Sequence, residues 1–103
     1  MFDAKLAGER VRLMIDSGAN QNYVSTQIAE KLKVYRETRP VPYPLTMADG
    51  STTGWVRERL HQIQLTIGKH NEKISLDITA LPKYDVVLGI VWLHDYNPKI
   101  DWK

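Results

Sequence analysis

Leu13-Met14-Ile15-Asp16-Ser17-Gly18-Ala19 is the stretch from which the rest of this chain can be read. Val11, Leu13, Met14 and Ile15 form an apolar run, and Asn20, Gln21 and Asn22 make a polar turn after it. Asp16 therefore ends a buried strand and opens a turn of small residues. A carboxylate in that place is either desolvated at a cost or held by donors arranged around it. Ser17 can supply a hydroxyl, Gly18 lets the backbone come close, and Ala19 leaves space. The tripeptide alone is also an ordinary turn, because Asp and Ser bond local backbone and Gly accepts positive φ. A short motif of this kind needs its structural context.

That context is mostly strand. Residues 2–7 and 9–15 read as two strands joined at Gly8. Val24, Ile28 and Leu32 recur every four residues among good helix formers, which predicts a helix over 24–34. Pro40, Pro42 and Pro44 then force an extended segment. Ala48-Asp49-Gly50-Ser51 is a hairpin turn signal, with residues 43–48 and 52–60 as its arms. Trp55 is placed at the base of that hairpin, as core. Ile63, Leu65 and Ile67 alternate with polar residues, as do Ile74, Leu76, Ile78 and Ala80, giving two half-buried strands. Val86-Val87-Leu88 reads as a strand buried on both faces, ended by Gly89. Ile90 to Tyr96 suits a short helix stopped by Asn97-Pro98, and Ile100-Asp101-Trp102 a final strand.

Composition excludes several functions. A length of 103 residues suits one small domain, 1–103, and 43% hydrophobic content with three Trp can fill a compact core. The absence of cysteine rules out disulfide staples, thiolate zinc sites and a Cys nucleophile, and fits a reducing compartment. His61, His70 and His94 lack ligand spacing, so no metal is expected. There is no phosphate-binding Gly-rich loop, and Ser17 and Ser25 lack a nucleophile's partners; no cofactor is expected. The net charge of +2 is too mild, and the basic residues too scattered, for nucleic-acid binding. No stretch is apolar enough to cross a membrane. Asp3, Lys5, Glu9 and Arg10 interrupt any signal-peptide pattern at the start.

The elements run in a distinctive order: strand with Asp-Ser-Gly, hairpin with an Asp-Gly tip, buried Val-Val-Leu-Gly strand, short helix, terminal strand. Here the chain resembles the retropepsins, the aspartic proteases of retroviruses and LTR retrotransposons, and most of all the gypsy-type retrotransposon group. The segments that carry the likeness are Leu13 to Ala19, Ala48-Asp49-Gly50-Ser51, Tyr84-Asp85-Val86-Val87-Leu88-Gly89, and Trp92-Leu93 with Asn97-Pro98-Lys99-Ile100-Asp101-Trp102. Together they span nearly the whole chain.

The resemblance implies a mainly β fold, a closed barrel-like antiparallel domain with one or two short helices, forming half of an acid protease. It implies an aspartic endopeptidase in which Asp16, Ser17 and Gly18 are catalytic. Hydrolysis by this route needs two carboxylates sharing a proton, one acting as base on water and the other as acid toward the carbonyl. This chain has a single Asp-Ser/Thr-Gly; Asp49-Gly50-Ser51 has the wrong order and Asp85 lies in the supporting strand. The second Asp16 would then come from a symmetric partner, which a two-fold dimer brings to its own axis. Ser17 would brace the two loops across the dimer.

By the same likeness the hairpin at Ala48, Asp49, Gly50 and Ser51 is a flap over the substrate. Met14, Ala19, Asn20, Gln21, Tyr23, Tyr84 and Val87 line the subsites, although Met14, Tyr23 and Val87 serve equally as core. Leu88-Gly89 would cross behind the catalytic loop, with Gly89 allowing close backbone approach or simply opening a helix. Asp16, Ser17, Gly50, Ile100, Asp101 and Trp102 would form the dimer interface, the last three as a strand pairing across it. The implied partners are a second copy and an extended peptide, the polyprotein of the element itself; the implied setting is the cytoplasm, within virus-like particles.

Two departures stand out. Many retroviral enzymes have Gly-Arg-Asn or Gly-Arg-Asp where this chain has Gly89-Ile90-Val91, and an acid where it has Asn20. Apolar packing of Ile90 and Trp92 would replace that ion pair. The segment before Asp16 is short, which points either to a weaker dimer or to Met1 and Lys103 being the cut ends of a longer polyprotein. The alternative function is an inactive or domesticated dimerisation or peptide-binding module, of the kind found in ubiquitin-shuttle proteins of the DNA-damage-inducible type. A further alternative is a ligand-free β domain in which Asp16 is only a turn residue.

Overall fold

Turn chemistry starts the fold. The computed structural model describes residues 2–46, 52–81 and 83–96. Strands β1 (Phe2–Leu6) and β2 (Glu9–Ile15) meet at Ala7 and Gly8, whose φ angles are 49° and 84°. Positive φ at both central residues matches the twist of flanking strands, so the hairpin closes with Leu6 opposite Glu9.

The predicted helix is shorter than its periodicity suggests. Tyr23–Ser25 form β3, and α1 runs only from Thr26 to Leu32. Val24 belongs to the sheet, opposite Val86 on one side and Ile78 on the other. Ser25 fixes the helix start, since its hydroxyl accepts the Ile28 amide at 3.2 Å. Lys33, left-handed at φ 53°, ends it. Ile28 and Ala29 bury the inner face.

β4 (Arg36–Thr46) and β5 (Thr52–Ile67) are the arms of the predicted hairpin; its tip at Ala48 to Ser51 lies outside the described residues. The two strands read at 52–60 and 63–67 are one strand with a bulge. Leu60 faces Leu76 but Ile63 faces Ile74, so β5 carries one extra residue there, with Gln62 at φ 51°. An extra residue reverses which side chains point inward. Accordingly Val56 and Leu60 are buried before the bulge, and Leu65 and Ile67 after it. Trp55, predicted as core, is 56% exposed, because it stands on the opposite face from Val56.

β6 (His70–Thr79), β7 (Val86–Leu88) and α2 (Ile90–Tyr96) complete the described chain. The strand order is β1-β2-β7-β3-β6-β5-β4, and β1 also pairs with β5 at Lys5–Thr66 and Leu6–Leu65. Six strands thus close into a barrel, with β4 outside it as an edge. Most pairs are antiparallel; β2–β7 and β3–β6 are parallel. The terminal strand predicted at Ile100-Asp101-Trp102 lies outside the described residues.

Leu13, Val86, Val24 and Ile78 stand side by side across β2, β7, β3 and β6 and fill the interior with Leu6, Leu60, Leu65, Leu76 and Leu88. Truncating one such leucine to alanine costs about 2–5 kcal/mol. Trp92, 2% exposed, packs α2 on this core and donates its indole N–H to Glu72 at 3.0 Å. Glu72 also meets His70 Nε2.

Candidate active site

The loop after β2 is pinned at every turn. The Asp16 amide donates to the Leu88 carbonyl at 2.9 Å, carrying the β2–β7 ladder one residue past the strand. The Ala19 amide closes a turn onto the Asp16 carbonyl at 3.0 Å. The Gly18 amide donates to Asp16 Oδ1 at 2.9 Å, so the carboxylate is held by its own loop. Asp16, Ser17 and Gly18 are exposed in the single chain.

Gly89 locks this loop from behind. The Ile90 amide donates to the Ala19 carbonyl at 2.8 Å, and the Gly89 amide to Asn22 Oδ1 at 2.9 Å. A Cβ on Gly89 would come within 2.5 Å of the Ala19 carbonyl oxygen and closer still to that of Gln21. Only glycine permits such an approach. Gly89 also opens α2, where its carbonyl accepts the Leu93 amide at 3.1 Å. Both sequence readings of this residue therefore hold. Asn22 was not singled out by sequence, yet it joins three elements, because its carbonyl accepts the Asp77 amide at 2.9 Å.

No second carboxylate on the adjoining strands completes a pair with Asp16. Asp85 precedes β7 rather than lying in it. Its carboxylate accepts the Arg12 amide at 2.7 Å, and its own amide donates to the Arg12 carbonyl at 2.9 Å. Arg12 is four residues back from Asp16 along β2, about 13 Å at the rise of a strand. Asp85 is thus a structural acid that splices β2 to β3, whose Ser25 amide bonds its carbonyl at 2.8 Å.

Met14, Val87, Tyr23 and Asp77 form a second row across β2, β7, β3 and β6, on the face opposite the barrel interior. The structure therefore brings together three of the predicted subsite residues, Met14, Tyr23 and Val87. Tyr23 and Val87 are 7% and 9% exposed, so β3 and β7 are covered on both faces. Asn20 and Gln21 are exposed on the loop, Ala19 is partly covered, and Tyr84 is half-buried ahead of Asp85. Ala48, Asp49, Gly50 and Ser51 lie outside the described residues, as do Ile100, Asp101 and Trp102. Ile90 does not pack as predicted: it is 45% exposed, next to Val91 at 49%, while Trp92 and Leu93 turn inward.

Asp77 is a second residue that sequence reasoning missed. It keeps phase with Ser75 and Thr79, which reads as a wetted face, yet it is 5% exposed. Arg39 Nη1 donates to Asp77 Oδ1 at 2.9 Å, and the Tyr43 hydroxyl donates to Asp77 Oδ2. The Arg39 guanidinium sits 4.9 Å from the centre of the Tyr43 ring. Tyr23 stands opposite Asp77 in the β3–β6 register. Burial first, then bonding to the Asp77 carboxylate, pushes the Tyr43 phenol far above its ordinary range; burial also raises Tyr23. Asp77 lies three strands from Met14, about 14 Å at the usual strand spacing, and is no partner for Asp16.

Residues 12–103 match the family described as the PEG10/RTL1 protease domain. Among solved structures, the retroviral protease-like domain of Ddi1 from Leishmania major is similar over 93% of this chain and 75% of that one, with a TM-score of 0.71 and 14% identity. The EIAV protease in complex with the inhibitor HBY-793 is similar over 96% of this chain and 88% of that one, with a TM-score of 0.63 and 20% identity. The fold is the retropepsin-like one that the order of motifs suggested.

Proposed function

The chain belongs to the PEG10/RTL1 protease domain family, and we propose that it is one subunit of a homodimeric aspartic endopeptidase, with residues 1–103 as a single protease domain. The observation that carries this reading is the Asp16 loop. An exposed carboxylate stands on backbone tied down by β7 and α2, with its neighbouring acids, Asp85 and Asp77, engaged elsewhere. Such rigidity is what acid–base catalysis asks of a group that must meet its substrate in one geometry.

In this mechanism Asp16 and the same residue of a second copy face each other across a two-fold axis and share one proton. The ionised carboxylate takes a proton from water as the water attacks the peptide carbonyl. The protonated one gives its proton to the carbonyl oxygen, and the tetrahedral species collapses as the leaving nitrogen is protonated. Ser17 braces the paired loops, and Gly18 bonds the substrate backbone. Met14, Ala19, Asn20, Gln21, Tyr23, Tyr84 and Val87 line the groove. The hairpin of β4 and β5 acts as the flap, closing with Ala48, Asp49, Gly50 and Ser51 and excluding water. Ile100, Asp101 and Trp102 pair the two copies. The substrate is an extended peptide of a retrotransposon-type polyprotein.

The test is cleavage of peptides drawn from such a polyprotein by the parent and by Asp16→Asn, with activity followed on dilution. The parent cleaves, the variant folds but does not, and specific activity falls as dimers separate. A parent that binds these peptides without cutting them, or an Asn variant that cuts as fast, overturns the reading.

A further inference from the structure

β4 is held by backbone on one side only, and not along its middle. It is the edge strand, and Pro40, Pro42 and Pro44 remove three amide donors at alternate positions. Its pairing with β5 breaks between Thr38, opposite Glu58, and Tyr43, opposite Val56. The stretch from Arg39 to Pro42 therefore has no ladder partner at the point where the arm would bend. The two side chains that bracket this break, Arg39 and Tyr43, both reach past β5 to Asp77 on β6. They end on a carboxylate that is almost fully buried, and a buried charge left without partners is strongly disfavoured.

We propose that Asp77, Arg39 and Tyr43 form a side-chain latch that holds the β4 arm against β6 beside Tyr23 and couples its closure to a peptide seated on the Met14–Val87–Tyr23 row. The coupling path is short. Tyr43 bonds Asp77, Asp77 stands opposite Tyr23 in the β3–β6 register, and Tyr23 stands beside Val87 in the row. A peptide side chain that presses on Tyr23 bears on the residue paired with the carboxylate that anchors the arm. The latch is also releasable. Arg39 Nε is buried with no hydrogen-bond partner, so the closed arrangement leaves one donor unmet that an open arm would return to water. Asp77, Arg39 and Tyr43 are positioning residues in this scheme; none of them touches the reacting atoms.

The role in catalysis rests on the protease reading above, but the latch itself does not. Two measurements separate them. The first is amide hydrogen exchange of the full chain, comparing residues 36–46 with residues 9–15 as an internal reference. Tyr43→Phe and Asp77→Asn are each expected to speed exchange in 36–46 by about tenfold or more while 9–15 is unchanged. Equal exchange in parent and variants overturns the latch, whether or not the protein cleaves anything. The second is steady-state cleavage. Tyr43→Phe is expected to raise KM about 5- to 20-fold with kcat within about twofold, the signature of a lost coupling between arm and peptide. A fall in kcat with KM unchanged overturns the coupling. If Asp77→Asn does not fold, Tyr43→Phe alone decides, since it removes only a hydroxyl. Asp77→Asn combined with Arg39→Gln should recover part of the loss in either measurement, because the pair is then neutral without a bare charge; no recovery overturns the assignment of Arg39.

Discussion

Backbone amides supply the donors that hold the loop from Asp16 to Asn22, whereas side chains hold the stretch of β4 from Arg39 to Tyr43. On the loop, amides of Asp16, Ala19 and Ile90 find carbonyls of Leu88, Asp16 and Ala19 at 2.8–3.0 Å. Between Thr38 and Tyr43 proline removes donors and the pairing with β5 is interrupted, and there Arg39 and Tyr43 reach for a buried carboxylate instead. Backbone tethers have few degrees of freedom and fix one geometry. Side-chain tethers can be let go and remade. If Asp16 reacts and β4 closes over a peptide, as proposed, the first kind suits the one and the second kind the other.

The comparison breaks most completely at Asp16. Asp16→Asn keeps the loop bond from Gly18, because an amide oxygen still accepts, but cannot act as base. Peptidase activity should fall about 10²–10⁴-fold or more with the melting temperature unchanged, measured by peptide cleavage and calorimetry. Gly89→Ala attacks the tethers instead. Its methyl group meets two carbonyl oxygens, and a loss of about 1–3 kcal/mol or more is expected in denaturant unfolding, together with loss of activity. Asn22→Ala leaves the Gly89 amide without its acceptor and should cost about 1–3 kcal/mol, with activity falling in step.

The side-chain half of the comparison is sharpened by pH. The Tyr23 and Tyr43 phenols are raised above the ordinary value of 10.0, chiefly by burial. The folded chain thus keeps protons that the unfolded chain would release near that value. Their contribution to stability is complete below about pH 10 and is lost as pH rises further. Tyr23 and Tyr43 should ionise only together with unfolding in a near-ultraviolet absorbance titration, read by comparison with Tyr23→Phe and Tyr43→Phe. Ionisation of either in the folded chain near the ordinary value would contradict their burial. The smallest effect is expected at the start of α1: Ser25→Ala removes the cap, costs about 1 kcal/mol, and leaves cleavage unchanged.

Much of this was legible in the chain. Short-range rules found Gly8, both arms of the hairpin and α2 at Ile90–Tyr96, because turn residues and three-residue apolar runs act locally. The site was half legible. Asp16-Ser17-Gly18 and Gly89 announce themselves by residue type, whereas Asn22 is one polar residue among several in a turn. Errors arose where a neighbour in space outvoted a neighbour in sequence. Val24 has helical spacing but fits between β6 and β7, and Ile90, expected to pack, is left exposed by the turn of α2.

The sequence by itself determined the order of strands and turns, the single Asp-Ser-Gly, and the family to which that order belongs. These are local properties: backbone preferences, apolar periodicity and the chemistry of one short loop. Only the tertiary structure decided that Asp77 is buried, that Arg39 and Tyr43 reach it past β5, and that Asp85 is a splice and no partner for Asp16. Burial of a charge depends on which strands close over it, and alternation along one strand cannot tell a face that meets water from a face that meets β4.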